Sequence, residues 1–263
     1  MLNCKNYVRV KTLDEAYELN KAKTNKIIAG MMWLRMSSLP LQNIIDISGL
    51  GLDKIEQTNE EFSFGAMVTL RQLETNKSFC DYTNGAIGEA LHNIVGVQFR
   101  NMATLGGSIW SRFGFSDVMT LFASTDSFVE LYKGGLIPMP DFIKSKQDND
   151  ILTRVIVKKT PAKFVYKSMR NQKTDLPVLT CAVSCLAGNY RVVIGARPGR
   201  AMIINDEKNL LQGTLTKESI KNFASYAESI TPTQGNMRAS AEYRSHLVGV
   251  LTERCLNELG GLL

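Results

Sequence analysis

Histidine is almost missing from this sequence: His92 and His246 are the only two in 263 residues. Neither stands in triad spacing with a serine or cysteine nucleophile and an acid, so no hydrolytic centre is legible and both read as structural. Cysteine is scarce and scattered. Cys4, Cys80, Cys181, Cys185 and Cys255 are an odd number with no CxxC pair, which excludes a disulfide framework, a zinc ribbon and iron–sulfur ligation, and they read as reduced thiols. Cys181 and Cys185 in one strand would stand about 13 Å apart, too far to share an ion or a disulfide, and act as small hydrophobes. No apolar run approaches the roughly 20 residues of a membrane span. The opening MLNCKNYVRVK carries Lys5, Arg9 and Lys11 where a signal peptide needs an apolar core. The expectation is a soluble, unexported, cytoplasmic protein with no membrane partner. No basic block occurs either: 31 Lys and Arg against 25 Asp and Glu give +6, but the two signs are interspersed, which argues against nucleic acid as a partner. A Walker loop is absent, and Ser48-Gly49-Leu50-Gly51 lacks the third glycine and the helix of a dinucleotide fingerprint.

Apolar residues, at 44% of the chain, are ample for one large or two ordinary domains. Tyr7 to Val10 reads as a strand. Thr12 with Glu15 forms a capping box opening a helix that shows Leu13, Ala16 and Tyr17 on one face. Lys26 to Ala29 then reads as a buried strand running into a turn at Gly30, a β-α-β opening that favours an α/β arrangement. Ile44 to Ile47 and Phe62 to Ala66 are strand-like, and Ile87, Ala90, Leu91, Ile94 and Val95 share the spacing of one helix face. Thr104-Leu105-Gly106-Gly107-Ser108 reads as a glycine turn between helices, with Ser116 capping a helix that carries Val118, Leu121 and Phe122. Strand returns at Phe128 to Leu131. Periodicity lapses over residues 144–150, where a boundary is expected before a strand from Ile151 to Val157. Beyond it, alternating strands at about Val178 to Leu186 and Tyr190 to Ala196 precede two helices. Ile220, Phe223, Ala224 and Ala227 mark one, and Tyr243, Leu247, Val250, Leu251 and Cys255 the other. Strands followed by helices indicate a separate α+β domain.

Two glycine segments, Ala29-Gly30 at a strand end and Thr104 to Ser108, could each bring main-chain amides to a phosphate, although loop glycines usually serve only turns. Together with IIDIS, FSFGAMVTLRQLE, VGVQFRNMATLGGSIWSRFGFSDVMTLFASTDSFVELYKGG, FVYKSMRNQKTDLPVLTCAV and RASAEYRSHLVGVLTERCL, the segment IIAGMMWL resembles the FAD-binding medium subunit of the xanthine dehydrogenase and carbon monoxide dehydrogenase family. The resemblance covers nearly the whole chain. It implies an α+β fold: residues 1–150 form an FAD-binding domain of two α/β subdomains, approximately 1–55 and 56–150, around a flavin cleft. Residues 151–263 then form a C-terminal flavoprotein domain of small antiparallel sheet plus helices.

The same resemblance implies the cofactor and its contacts. The FAD pyrophosphate is assigned to the main chain of Ile28, Ala29, Gly30, Met31, Met32, Trp33 and Leu34 and to Ala103, Thr104, Gly106, Gly107 and Ser108. Asp117 is assigned to ribityl or adenosine hydroxyls, the alternative being an acid in a first helical turn. Leu152 is assigned to pack on the isoalloxazine ring and Lys167 to place a cation near it, with a solvated lysine as the alternative. Trp33 and Trp110 are expected to line a cavity or the core. Electrons are expected to leave an organic substrate at a molybdopterin-binding large subunit, cross clusters of a 2Fe–2S small subunit, and pass through this FAD to NAD⁺ or another acceptor. The chain itself carries no metal site and no catalytic acid or base in this reading. It departs from the family at Met31, Met32 and Trp33, where a second glycine and a small polar residue are common, and at Ser108, where asparagine is frequent. A methionine held at positive φ would be strained. A flavin-free structural subunit with a degenerate loop is therefore the competing reading. A free-standing flavin oxidase is a third, disfavoured because no catalytic base is evident.

Overall fold

A computed structural model describes residues 2–262. In chain order its elements are β1 (Asn3–Arg9), α1 (Leu13–Asn20), β2 (Asn25–Ile28), β3 (Pro40–Asp46), β4 (Ile55–Gln57), β5 (Glu61–Gly65), α2 (Leu70–Thr75), α3 (Lys77–Tyr82) and α4 (Ala86–His92). There follow α5 (Val97–Met102), α6 (Leu105–Trp110), α7 (Asp117–Ser124), β6 (Ser127–Leu131), β7 (Gly135–Pro138), α8 (Met139–Lys144) and β8 (Leu152–Lys158). The C-terminal part adds β9 (Ala162–Met169), β10 (Leu179–Leu186), β11 (Asn189–Gly195), β12 (Met202–Asn205), α9 (Lys217–Ile230) and α10 (Ala241–Leu259). The mixture of helix with parallel and antiparallel sheet is the α+β class expected. Compact units do not follow the chain linearly. One comprises the segment ending at Leu73, Val97–Ser111 and Ser127–Val157; the other comprises Glu74–Gly96, Arg112–Asp126 and the chain from Lys158 on.

The first unit holds two sheets. β1, β3 and β2 are parallel in the order β1-β3-β2. The β-α-β opening is thus present, with Thr12 accepting from the Glu15 amide at the start of α1. The Glu15 carboxylate returns to the amide of Lys11, one residue before the cap, at 2.8 Å. Val10, Ala16, Ile45, Ile47, Leu52 and Ile151 form a small core beside this sheet. The second sheet runs β4-β5-β8-β6-β7, with Phe62, Phe64, Val129, Val155 and Val157 buried by strict alternation.

In the second unit, β12-β11-β10-β9 form an antiparallel sheet. Odd-numbered positions Val165, Cys181 and Val183 pack with Ile220, Phe223, Leu247, Leu251 and Cys255 of α9 and α10. Even-numbered positions meet α7 and its neighbours: the Thr120 and Thr180 hydroxyls are 2.9 Å apart, and Ser184 Oγ donates to the Ser124 carbonyl at 2.6 Å. Each large apolar side chain buried here contributes about 1.5–3 kcal/mol before entropy is counted.

Two local expectations are corrected. The helix inferred from Ile87 to Val95 stops at His92, and Val95 lies outside it at φ 50°, half exposed. Apolar spacing ran on past Asn93, where the backbone leaves helical geometry and satisfies itself with an Ile94 amide to Leu91 carbonyl bond. The Thr104 to Ser108 segment is not a turn but a capped helix start: Thr104 caps α6 and the two glycines lie in its first turn.

Candidate functional site

Both glycine segments belong to the first unit, and they touch. A Cβ on Gly30 would lie 1.8 Å from the carbonyl oxygen of Met102 and 3.1 Å from the Cα of Ala103. Only glycine permits this approach, so the end of β2 is seated on the residues leading into α6. Ile28 closes the strand, Ala29 and Gly30 are half-buried, and Met31 adopts φ 56°, the left-handed conformation that costs an ordinary L-residue about 1–2 kcal/mol. Met32 is buried, whereas Trp33 is 43% exposed and so stands outside the core. Leu34 opens a single 3-10 turn over Leu34–Met36, closed by Met36 to Trp33 and Ser37 to Leu34 bonds. Among the described residues, the amides of Gly30, Met31 and Met32 donate no hydrogen bond within the protein. Three successive donors without acceptors at a strand end are what an anionic ligand requires.

The second segment spends its donors internally. The Leu105 amide bonds the Val68 carbonyl and the Gly106 amide bonds the Ala66 carbonyl, both at 2.8 Å. The Gly107 amide bonds Thr104 Oγ1 at 3.2 Å, and the Ser108 amide and hydroxyl both donate to the Thr104 carbonyl. Gly106 is required by packing, because a Cβ there would meet the Ala66 carbonyl oxygen at 2.6 Å. Gly107 is exposed, with only Thr104 Oγ1 near its missing Cβ at 3.2 Å. Ala103 is buried, and its carbonyl accepts from the Leu70 amide. The amides expected to face a phosphate from this side are therefore committed, and the hydroxyl of Thr104 is a helix cap. Trp110 is half-buried against Phe142, with ring centroids 6.2 Å apart.

Leu152 opens β8 in the same unit and is buried. Asp117 and Lys167 belong to the second unit. Asp117 is the first residue of α7, capped by Ser116, and is 4% exposed. Its Oδ1 accepts from the Tyr166 hydroxyl at 2.5 Å and from the Arg170 guanidinium. Burial pushes the Asp117 carboxyl above its ordinary value, against the attraction of Arg170 and the Tyr166 bond; the same burial, with Asp117 beside it, pushes the Tyr166 phenol well up. Lys167 Nζ is bound to Glu258 Oε2 of α10 at 2.5 Å. Tyr166 and Lys167 are adjacent in β9 and so point to opposite faces of the sheet. Asp117 consequently lies on the α7 face and Lys167 on the α10 face, and the structure does not bring these two together. Met102, Ala66, Tyr166, Arg170 and Glu258, the partners that fix these positions, are missed by sequence reasoning because each acts across a long loop and leaves no spacing signal.

Among the described residues no group of His, Cys, Asp and Glu could hold a metal ion, and no helix is long and apolar enough to cross a membrane. The family model described as "FAD binding domain in molybdopterin dehydrogenase" matches residues 2–160, more than half of the chain. The chain belongs to that family. The flavoprotein match continues through residues 164–259 as a "CO dehydrogenase flavoprotein C-terminal domain". Similar curated proteins include the glyceraldehyde dehydrogenase medium chain of Sulfolobus acidocaldarius, 25% identical over 96% of this chain and 97% of that one. The xanthine dehydrogenase FAD-binding subunit of Escherichia coli is 24% identical over 98% and 97%. Among solved structures, carbon monoxide dehydrogenase from Hydrogenophaga pseudoflava superposes with a TM-score of 0.87 at 21% identity, covering 100% of this chain and 99% of that one. Quinoline 2-oxidoreductase from Pseudomonas putida gives 0.86 at 19% identity over 98% and 97%. These structural likenesses establish the fold of this family member.

Proposed function

We propose that this chain is the FAD-binding, electron-transferring subunit of a xanthine dehydrogenase-type molybdenum hydroxylase complex. The observation that carries the reading is the run of unclaimed amides at Gly30, Met31 and Met32, seated on Met102 and Ala103, in a chain of an FAD-binding family. Neutral main-chain donors suit a diphosphate, and the missing Cβ of Gly30 lets the Met102 carbonyl close against the loop that carries them. Ile28 to Leu34 would hold the pyrophosphate, with Ala103 to Ser108 shaping the opposite wall rather than donating. Leu152 would pack on the ring. Asp117 would accept a ribityl or ribose hydroxyl through the carboxylate oxygen left by Tyr166 and Arg170, and Lys167, shared with Glu258, would lend positive charge near the ring.

When bound, FAD would accept electrons from iron–sulfur clusters and deliver them to NAD⁺ or another acceptor. The chain's own work is to bind, orient and exclude water. Molybdopterin and the clusters belong to a large and a small partner subunit in this reading, the complex is cytoplasmic, and the functional division of this chain falls at 1–150 and 151–263.

A second reading, a flavin-free structural subunit, draws support from the left-handed Met31 and the committed amides at residues 105–108. The absorption spectrum of the purified chain, with FAD titrated against flavin fluorescence, decides between them. Bound flavin with saturable quenching is expected. A colourless protein indifferent to added FAD removes the electron-carrier reading and leaves the structural one.

A further inference from the structure

The second unit contains a cleft of about 190 Å³ whose walls include Phe115, Pro177, Pro198, Asn236, Arg238 and Arg244. It is assembled by an unusual crossing of two segments. A Cβ on Gly114 would meet the Gly199 carbonyl oxygen at 2.3 Å, and the Ala196 amide bonds the Gly114 carbonyl at 2.6 Å. Ala196, in the cleft wall, is held at φ 57°, and strained backbone of this kind persists where the surroundings dictate it.

The cleft is electrically unbalanced. Arg244 is 1% exposed, and its guanidinium is bound by neutral acceptors only: the carbonyls of Val178, Gln234 and Ala239 and the side-chain oxygen of Asn236. No carboxylate pairs with it among the described residues, and burial together with the neighbouring Arg238 charge pulls its pKa down. Arg238 shares one terminal nitrogen with Asp175 at 3.2 Å, while its Nη1 has no acceptor among the described residues and the side chain keeps 35% of its exposure. A buried cation without a counter-charge is costly, and an anion in reach relieves that cost.

We propose that this cleft is a binding site for a small oxyanion, a phosphate or carboxylate group, taken by Arg238 with Arg244 behind it. Its volume is well below the ~300–1,000 Å³ of a site for a drug-sized ligand, so the occupant is the anionic group itself or a compound of a few heavy atoms. The apolar walls of Phe115, Pro177 and Pro198 lower the local dielectric and strengthen the guanidinium contact.

The test is isothermal titration of the full chain with inorganic phosphate and, separately, with acetate, each at matched ionic strength in chloride buffer. Saturable binding of at least one anion is expected, and which one binds states the preferred oxyanion. Arg238→Gln should weaken it about tenfold or more, as loss of a charge-assisted hydrogen bond implies. Asp175→Asn, which keeps the oxygen that accepts from Leu176 and Arg238 but removes the negative charge competing for Arg238, should tighten it several-fold, a direction that misfolding would not give. Lys217→Gln, at the start of α9 and outside the cleft lining, should bind as the parent does. Absence of saturable heat with either anion, or unchanged affinity in Arg238→Gln, overturns the proposal. Phosphate held by the amides of Gly30 to Met32 would be unaffected by Arg238→Gln and Asp175→Asn, so these two variants keep the outcome independent of the FAD reading.

Discussion

The loop after β2 and the start of α6 look alike in sequence, each a small-residue segment at the end of an element, and they differ in what their amides do. Gly30, Met31 and Met32 keep their donors unclaimed, whereas Leu105, Gly106, Gly107 and Ser108 spend theirs on Val68, Ala66 and Thr104. A glycine pattern therefore reports close approach of main chain without saying whether a ligand or another segment approaches. At Gly106 the neighbour is Ala66; at Gly30 it is Met102 on one side and open donors on the other.

The sharpest way to break this contrast is Gly30→Ala. The added methyl meets the rigid Met102 carbonyl, so a loss of about 3 kcal/mol in urea unfolding is expected, with loss of flavin in whatever fraction folds. Flavin retained at the parent stoichiometry would move the cradle away from the first loop. Thr104→Val should cost about 1 kcal/mol as a lost cap and leave FAD affinity nearly unchanged. If fluorescence titration instead shows affinity falling tenfold in folded protein, the start of α6 binds as well. Met31→Gly exchanges a left-handed methionine for a residue at ease there but more flexible when unfolded. A net gain of about 1 kcal/mol or less is expected, read as a raised urea midpoint, with FAD bound at least as tightly.

The smallest effect concerns pH. Burial alone would raise the Asp46 carboxyl, but the Tyr7 hydroxyl and the Ser48 amide and hydroxyl outweigh it and hold it below the ordinary carboxylate value. Folding then binds fewer protons at this site. The contribution is complete above the ordinary value of about 4 and is lost as pH falls through the lower folded value. Urea midpoints should therefore decline more steeply on acidification in the parent than in Asp46→Asn. Equal slopes would remove Asp46 as a source of acid sensitivity in the parallel sheet.

Local chemistry was legible where it acts within a few residues. Thr12 and Ser116 cap the helices they precede, alternation places Cys181 inward, and the β-α-β opening appears as a parallel sheet. Periodicity misled where apolar residues continued past a break, as at Ile94 and Val95, because spacing reports a face and not where the chain leaves it. The candidate site was legible as a set of segments only. Nothing in the order of residues indicates that Asp117 meets Tyr166 and Arg170, or that Lys167 meets Glu258 on the other face of the sheet.

By itself the sequence determined the class, the family resemblance and the small residues at two element ends, since propensity, capping and alternation act over a few neighbouring positions. Tertiary structure alone decided which amides remain available. A donor's partner is chosen by whichever carbonyl the fold brings within about 3 Å, and chain separation does not encode that distance.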